Sequence, residues 1–238
     1  MPQIKVRYWL VMRRLIALSF VVAALTAQDF RSPVPPVEDD PSLPRVLIIG
    51  DSISIGYTIP VRKLLSGKAH VHRIPGNAGP SSNGVYLIDS WLGDNTGDHM
   101  GDNKRWDVIH FNFGLHDLKR LSDGKQQVPP ESYERYLRLV VDRLKKTEAK
   151  LVFATTTPVP EGKVSPPRVP TDVILYNGIA VRVMRDNGVP VNDLYAFALP
   201  QLKQIQEPVN VHFTAAGSTA LAEQVAKLIE SALPAKPL

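Results

Sequence analysis

The chain has 238 residues, 44% of them hydrophobic, and no cysteine. That length supports one well-buried core rather than two large ones, and the missing cysteines exclude disulfides, thiolate metal sites and a cysteine nucleophile together. The formal net charge is +5, of which Lys5, Arg7, Arg13 and Arg14 account for +4, leaving +1 for the rest; so small a balance gives no reason to expect a nucleic-acid partner.

Those four basic residues precede the apolar run Leu15 to Ala27, which ends in small side chains. This is the layout of a secretory signal peptide over residues 1–27, with cleavage expected after Ala27. The 13-residue run is short against the roughly 20 residues that span a bilayer, so no lasting membrane insertion is expected. The expected destination is the periplasm or the exterior. Residues 28–44, "QDFRSPVPPVEDDPSLP", are rich in proline and acid and read as an extended spacer. The folded domain is expected over 45–234, with 235–238 as a tail.

From Arg45 onward, apolar runs and amphipathic stretches alternate. "RVLIIG" reads as a buried strand, "SIGYTIPVRKLLSG" as a helix closed by Gly67, "AHVHRI" as a second strand and "SSNGVYLIDSWLG" as a second helix. "WDVIHFNFG" is a third strand, and "PESYERYLRLVVDRLKKTEA" a long helix. "KLVFATTT" is a fourth strand, followed by the helix "TDVILYNGIAVRVMRDNG" with Gly188 at its end. "VPVNDLYAF", "LPQLKQIQ" and a last helix capped by Thr214 complete the pattern. Strands alternating with helices of this length predict a three-layer α/β/α sandwich on a mostly parallel five-stranded sheet, a flavodoxin-like arrangement. In such sheets ligands bind beyond the carboxyl ends of the strands.

The residues at those ends are few. Asp51 and Ser52 follow the first strand, "PGNAGPSSNG" the second and "GLHD" (114–117) the third, while "VNVHFT", with His212, precedes the last helix. A hydroxyl, histidines able to take its proton, and a glycine-rich loop offering N–H donors meet the needs of acyl transfer.

"IGDSIS", the loop of Gly79, "GLHD" and the histidine before the last helix resemble the four ordered blocks of the SGNH hydrolase superfamily, the GDSL-like lipases and acylhydrolases, over about residues 45–234. The resemblance implies a serine esterase without metal or organic cofactor. It implies Ser52 as nucleophile, His212 as general base, and the N–H groups of Ser52 and Gly79 as oxyanion donors. The α/β-hydrolase elbow G-x-S-x-G is disfavoured, because Ser54 stands where its second glycine would be.

The chain departs from the family pattern in two places. His116 occupies the position of the third-block asparagine; a neutral imidazole has one N–H and can fill the same oxyanion role. Val209 stands where an aspartate usually precedes the histidine by three residues, and valine cannot orient an imidazole. A backbone carbonyl, Glu207 or Asn210 is left for that task, and a Ser52–His212 dyad steadied by a carbonyl is expected.

Asp51 is expected to serve the turn as a short acceptor rather than as a second acid. His70 and His72 share one face of a strand without a nearby carboxylate, and read as sheet residues rather than metal ligands. The loop "GDNTGDHMGDNKR" lacks the glycine and glutamate of a calcium loop. No Gly-Lys pair sits in a phosphate-binding loop. "PVPEGKVSPPRVP" (158–170) is expected to wall the cleft, with Lys163 and Arg168 able to meet a polar or anionic ligand. The expected substrate is a small-molecule or glycan ester, with acetyl the preferred acyl group; lipid esters, thioesters or a non-catalytic binding role are the alternatives.

Overall fold

The computed structural model describes residues 34–93 and 105–235. The expected leader 1–27 and the acidic-glycine loop beginning at Gly93 lie, apart from Gly93 and Arg105, outside the described residues.

Strand β1 (Arg45–Ile49) is buried at every position. It lies between β2 (His70–Arg73) and β3 (Val108–Phe111), and β4 (Lys150–Ala154) and β5 (Val191–Asn192) extend the sheet in the order β2-β1-β3-β4-β5. All four pairings are parallel, with Ile49 in register with Phe111 and Phe111 with Phe153. Continuous apolar runs such as "VLII" are what a strand covered on both faces requires.

The covering helices are α1 (Ser52–Leu64), α2 (Ser81–Leu92), α3 (Pro130–Lys145), α4 (Pro170–Asp186) and α7 (Ala215–Ala232), with short α5 (Leu194–Ala198) and α6 (Leu202–Ile205) ahead of the last. Helices α1 and α7 pair on one face; α2, α3 and α4 pack side by side on the other. Tyr57, Tyr133, Tyr176, Phe111, Phe113 and Phe153 are the largest fully buried side chains. The expected three-layer parallel architecture is therefore the observed one, and Thr214 caps α7 through Oγ1, which accepts from Gly217 N at 3.0 Å. Among the described residues no helix is long and apolar enough to cross a membrane.

Two expectations change. Within "VPVNDLYAF" the fifth strand covers only Val191 and Asn192, because Asp193 Oδ1 accepts from Ala196 N at 3.0 Å and starts α5 in the same stretch. The described part of the expected spacer packs on the domain. Val34 is buried, Asp39 holds Arg45 at 2.9 Å and His72 Nε2 at 2.6 Å, Asp40 N donates to His70 Nε2 at 2.8 Å, and Arg62 donates to Pro35 O at 2.7 Å. His70 and His72 thus bind this strap, and no group of metal-ligating side chains occurs among the described residues. Asp39, which looks like linker composition, is the ion-pair partner of Arg45 in β1 and hydrogen-bonds His72 in β2.

Candidate active site

The turn after β1 is built around Asp51. It is the N-cap of α1, and its Oδ1 accepts from Ile53 N at 2.9 Å, the structural role expected of it. Ser52 is therefore the first residue of the helix, and its N–H has no intrahelical acceptor.

Behind the turn lies Arg73, at the end of β2. Its Nη2 donates to Gly50 O at 2.8 Å, Asp51 O at 3.2 Å and Ser54 Oγ at 3.0 Å. Its Nη1 donates to Ile74 O at 2.7 Å and also to Gly76 O. One guanidinium thereby ties the serine turn to the glycine-rich loop, and Ala78 N adds a bond to Gly50 O at 3.1 Å. Burial pushes the Arg73 pKa down to about 10, against the opposing pull of Tyr57 and Asp51. No motif pointed to Arg73; the only signal was an arginine near the end of the second strand.

Ser52 Oγ and His212 Nε2, 160 residues apart, are 2.9 Å from one another. His212 Nδ1 lies 2.8 Å from Asn210 Oδ1, which also accepts from His212 N at 3.1 Å. An amide oxygen accepts only, so this contact holds the proton on Nδ1 and leaves the Nε2 lone pair facing the serine hydroxyl. Where a backbone carbonyl was expected, Asn210 Oδ1 is the group within hydrogen-bond distance of His212 Nδ1. Glu207 contributes through its backbone: its N donates to His212 O at 3.0 Å and its O accepts from Asn210 N at 3.2 Å.

The latter bond closes a four-residue turn, Glu207 to Asn210. Val209, at its third position, has φ of +51°. Such a position favours glycine or asparagine; a β-branched residue there costs about 1–3 kcal/mol. Val209 is 52% exposed, so core burial does not offset this strain. Its side chain lies against the 158–170 loop at Gly162, and Gln206 Nε2 donates to Pro158 O at 2.9 Å. That loop therefore borders the histidine segment.

Gly79 has φ of +68°, and a Cβ there would lie 2.6 Å from Asn83 Nδ2, so the position requires glycine. Its N–H, however, donates to Asn77 Oδ1 at 2.8 Å. The expected free donor is engaged by a local turn two residues upstream and serves an oxyanion only if that bond is exchanged.

His116 lies half-buried in the turn that follows β3. Burial pushes its pKa down, Asp51 opposes this, and Lys119, Arg168 and His212 push it further down. The ring is thus neutral near pH 7, with one N–H to give. Gly114, at the head of the turn, would place a Cβ 2.1 Å from Thr156 Oγ1. Only glycine allows this approach to the end of β4. Asp117 does not pair with His116; its Oδ1 accepts from Ser81 N at 2.9 Å and Ser81 Oγ at 2.5 Å, at the start of α2. Burial raises the Asp117 pKa to about 7, the two Ser81 bonds opposing.

The two cations of the cleft wall separate. Lys163 is exposed and Arg168 is buried, the latter donating from Nε to Leu115 O at 2.9 Å.

A family model, the GDSL-like Lipase/Acylhydrolase family, matches residues 48–220. No curated protein sequence matches the chain. Among solved structures, a lipase/acylhydrolase from Enterococcus faecalis is similar with a TM-score of 0.66 at 18% identity, covering 82% of this chain and 100% of its own. The acetyl xylan esterase AlAXEase has a TM-score of 0.63 at 15% identity, covering 78% and 99%. A catalytic mutant of an acetylxylan esterase from Geobacillus stearothermophilus has a TM-score of 0.60 at 15% identity, covering 77% and 93%. With the strand order, the serine turn and the family match agreeing, the chain belongs to the GDSL-like lipase/acylhydrolase family, the serine ester hydrolases of SGNH fold.

Proposed function

We propose that the protein is an exported esterase that removes small acyl groups, acetyl above all, from carbohydrate, with Ser52 as nucleophile and His212 as general base. The observation that carries the catalytic assignment is the hydrogen-bonded series Asn210 Oδ1, His212, Ser52 Oγ, with contacts of 2.8 and 2.9 Å. His212 Nε2 takes the hydroxyl proton as Ser52 Oγ attacks the ester carbonyl carbon. The tetrahedral oxyanion is met by Ser52 N–H and by the neutral His116. Collapse breaks the bond to the alcohol, which leaves with the proton from His212. Water, deprotonated by the same Nε2, then releases the acid and restores the hydroxyl.

Asn210 holds the tautomer without supplying charge, as the asparagine of Cys-His-Asn sites does. The apolar leader ending at Ala27 supports export, and two structural neighbours described as acetyl xylan esterases support an acetylated glycan as substrate.

Labelling by a fluorophosphonate tests the nucleophile: wild type is expected to react and Ser52→Ala not to. Acetate release from acetylated glycans, set against hydrolysis of short- and long-chain p-nitrophenyl esters, tests the substrate. Dominant long-chain activity moves the assignment to lipid esters or thioesters, and folded but unlabelled protein moves it to a binding domain. N-terminal sequencing of protein recovered outside the cytoplasm tests cleavage after Ala27.

A further inference from the structure

Of the arginines on or against the turn that follows β3, one is paired with a carboxylate and one is not. Arg120 is held by a carboxylate: Nε donates to Asp172 Oδ2 at 3.0 Å and Nη2 to Asp172 Oδ1 at 2.9 Å. Arg168 is only 8% exposed, yet its bonds go to neutral carbonyls, from Nε to Leu115 O at 2.9 Å and from Nη1 to Pro166 O at 3.1 Å. Its Nη2 has no hydrogen-bond partner among the described residues and is not sealed from solvent. Lys119 likewise has no ion-pair partner among the described residues.

Both cations sit on or against the turn that carries His116. Arg168 is docked on Leu115, Lys119 N donates to His116 O at 3.3 Å, and the charges of Lys119 and Arg168 act on each other. Both also act on His116, which Asp51 and His212 reach as well. Asp51 is the negative charge that reaches Arg168, and its Oδ1 is committed to Ile53 N. A guanidinium withdrawn from water without a carboxylate is costly, and Arg168 keeps one nitrogen open where it docks on the His116 turn.

We propose that Arg168 and Lys119 form an anion subsite beside Ser52, so that the preferred substrate is an ester whose alcohol part carries an anionic oxygen group, as an acidic glycan does with a carboxylate or a sulfate. This rests on the esterase reading and specifies its substrate. The single open nitrogen of Arg168 together with the mobile ammonium of Lys119 suits two oxygens of one anionic group. Lys163, exposed on the outer part of the wall, is not part of the subsite.

The test uses 4-acetoxybenzoate, its neutral methyl ester and 4-acetoxybenzenesulfonate. For each, kcat/KM is normalised to hydroxide-catalysed hydrolysis. In parallel, 4-hydroxybenzoate is titrated into Ser52→Ala and into the Ser52→Ala, Lys119→Met double variant. Lys119 is chosen because it is less buried than Arg168, whose removal endangers folding.

The expected result is a wild-type preference for the anionic over the neutral ester of about tenfold at low ionic strength, reduced about tenfold by Lys119→Met and weakened by salt. Binding of 4-hydroxybenzoate is expected to Ser52→Ala and not to the double variant. The carboxylate and sulfonate arms show which anion is favoured. Equal wild-type rates on charged and neutral esters, unchanged by Lys119→Met, overturn the subsite and leave the esterase reading standing. If no ester is cleaved and no fluorophosphonate label appears, the esterase reading fails, and the titration alone decides the subsite: binding lost in the double variant upholds it, and no binding to either protein overturns it.

Discussion

The serine turn and the histidine turn bring their side chains to the same 2.9 Å contact by opposite means. Around Ser52 the backbone is held from outside. Asp51 and Ser54 are buried, Arg73 bonds to Gly50, Asp51 and Ser54, and Ala78 adds a further bond. Around His212 the support is local and exposed: Asn210 bonds both His212 Nδ1 and His212 N, and the turn closes on itself with a strained valine. The first arrangement resists displacement because many elements share it. The second is adjustable at little cost to the fold, so substitutions there should change activity without unfolding the protein.

The sharpest break of this symmetry is Ser52→Ala, which on the proposed mechanism lowers kcat by at least about 10⁴-fold. Thermal melting is expected to stay close to wild type, since Ser52 supplies no core packing. Next in size is Asn210→Ala. Loss of the tautomer hold is expected to lower kcat by about 10²–10⁴-fold, again with little change in melting. Asn210→Asp tests the same contact in the other direction: a carboxylate still accepts from Nδ1 and adds charge that favours the imidazolium formed in the reaction, so kcat is expected to be kept or raised.

On the rigid side, Arg73→Met is expected to act mainly on stability. It leaves the carbonyls of Gly50, Asp51, Ile74 and Gly76 without this donor, for a loss of about 3 kcal/mol seen in urea denaturation.

Asp117 gives a graded effect. Its folded pKa, about 7, lies above the ordinary 3.8, so the native state binds more protons than the unfolded one between those values. Stability therefore falls as pH rises from about 4 to 7, by at most about 1.4 kcal/mol per pH unit, and this slope disappears above the window. Asp117→Asn is expected to flatten it in denaturation curves taken across that range. The smallest effect is at Val209. Val209→Asn places a residue that tolerates positive φ in the turn and is expected to gain about 1 kcal/mol, read as a modest rise in melting temperature with His212 still in place.

Much of this was legible because local pattern and spacing carry it. "RVLIIG" before "DS" specifies a buried strand entering a capped helix, and the alternation that follows specifies a parallel sheet whose carboxyl ends collect Ser52, His116 and His212. The orienting group was not legible. Asn210 faces His212 Nδ1 from a Glu207–Asn210 turn in which Val209 has a positive φ, and valine is a poor indicator of such a turn. The proline-rich strap was misread for a related reason: Asp39 looks like linker composition until His72 and Arg45 are brought beside it. The bond that the Gly79 N–H, expected as an oxyanion donor, makes to Asn77 was not legible either.

The sequence by itself determined the strand and helix order, the sheet edge where chemistry gathers and the residue types available there, because these follow from periodicity, capping and spacing along the chain. Only the tertiary structure decided which groups meet: His212 on Ser52, Arg73 behind the serine turn, and Arg168 on the His116 turn with carbonyls in place of a carboxylate. Hydrogen bonds and charge pairing act over a few ångströms, and residues far apart in sequence come within that range only when the sheet has assembled.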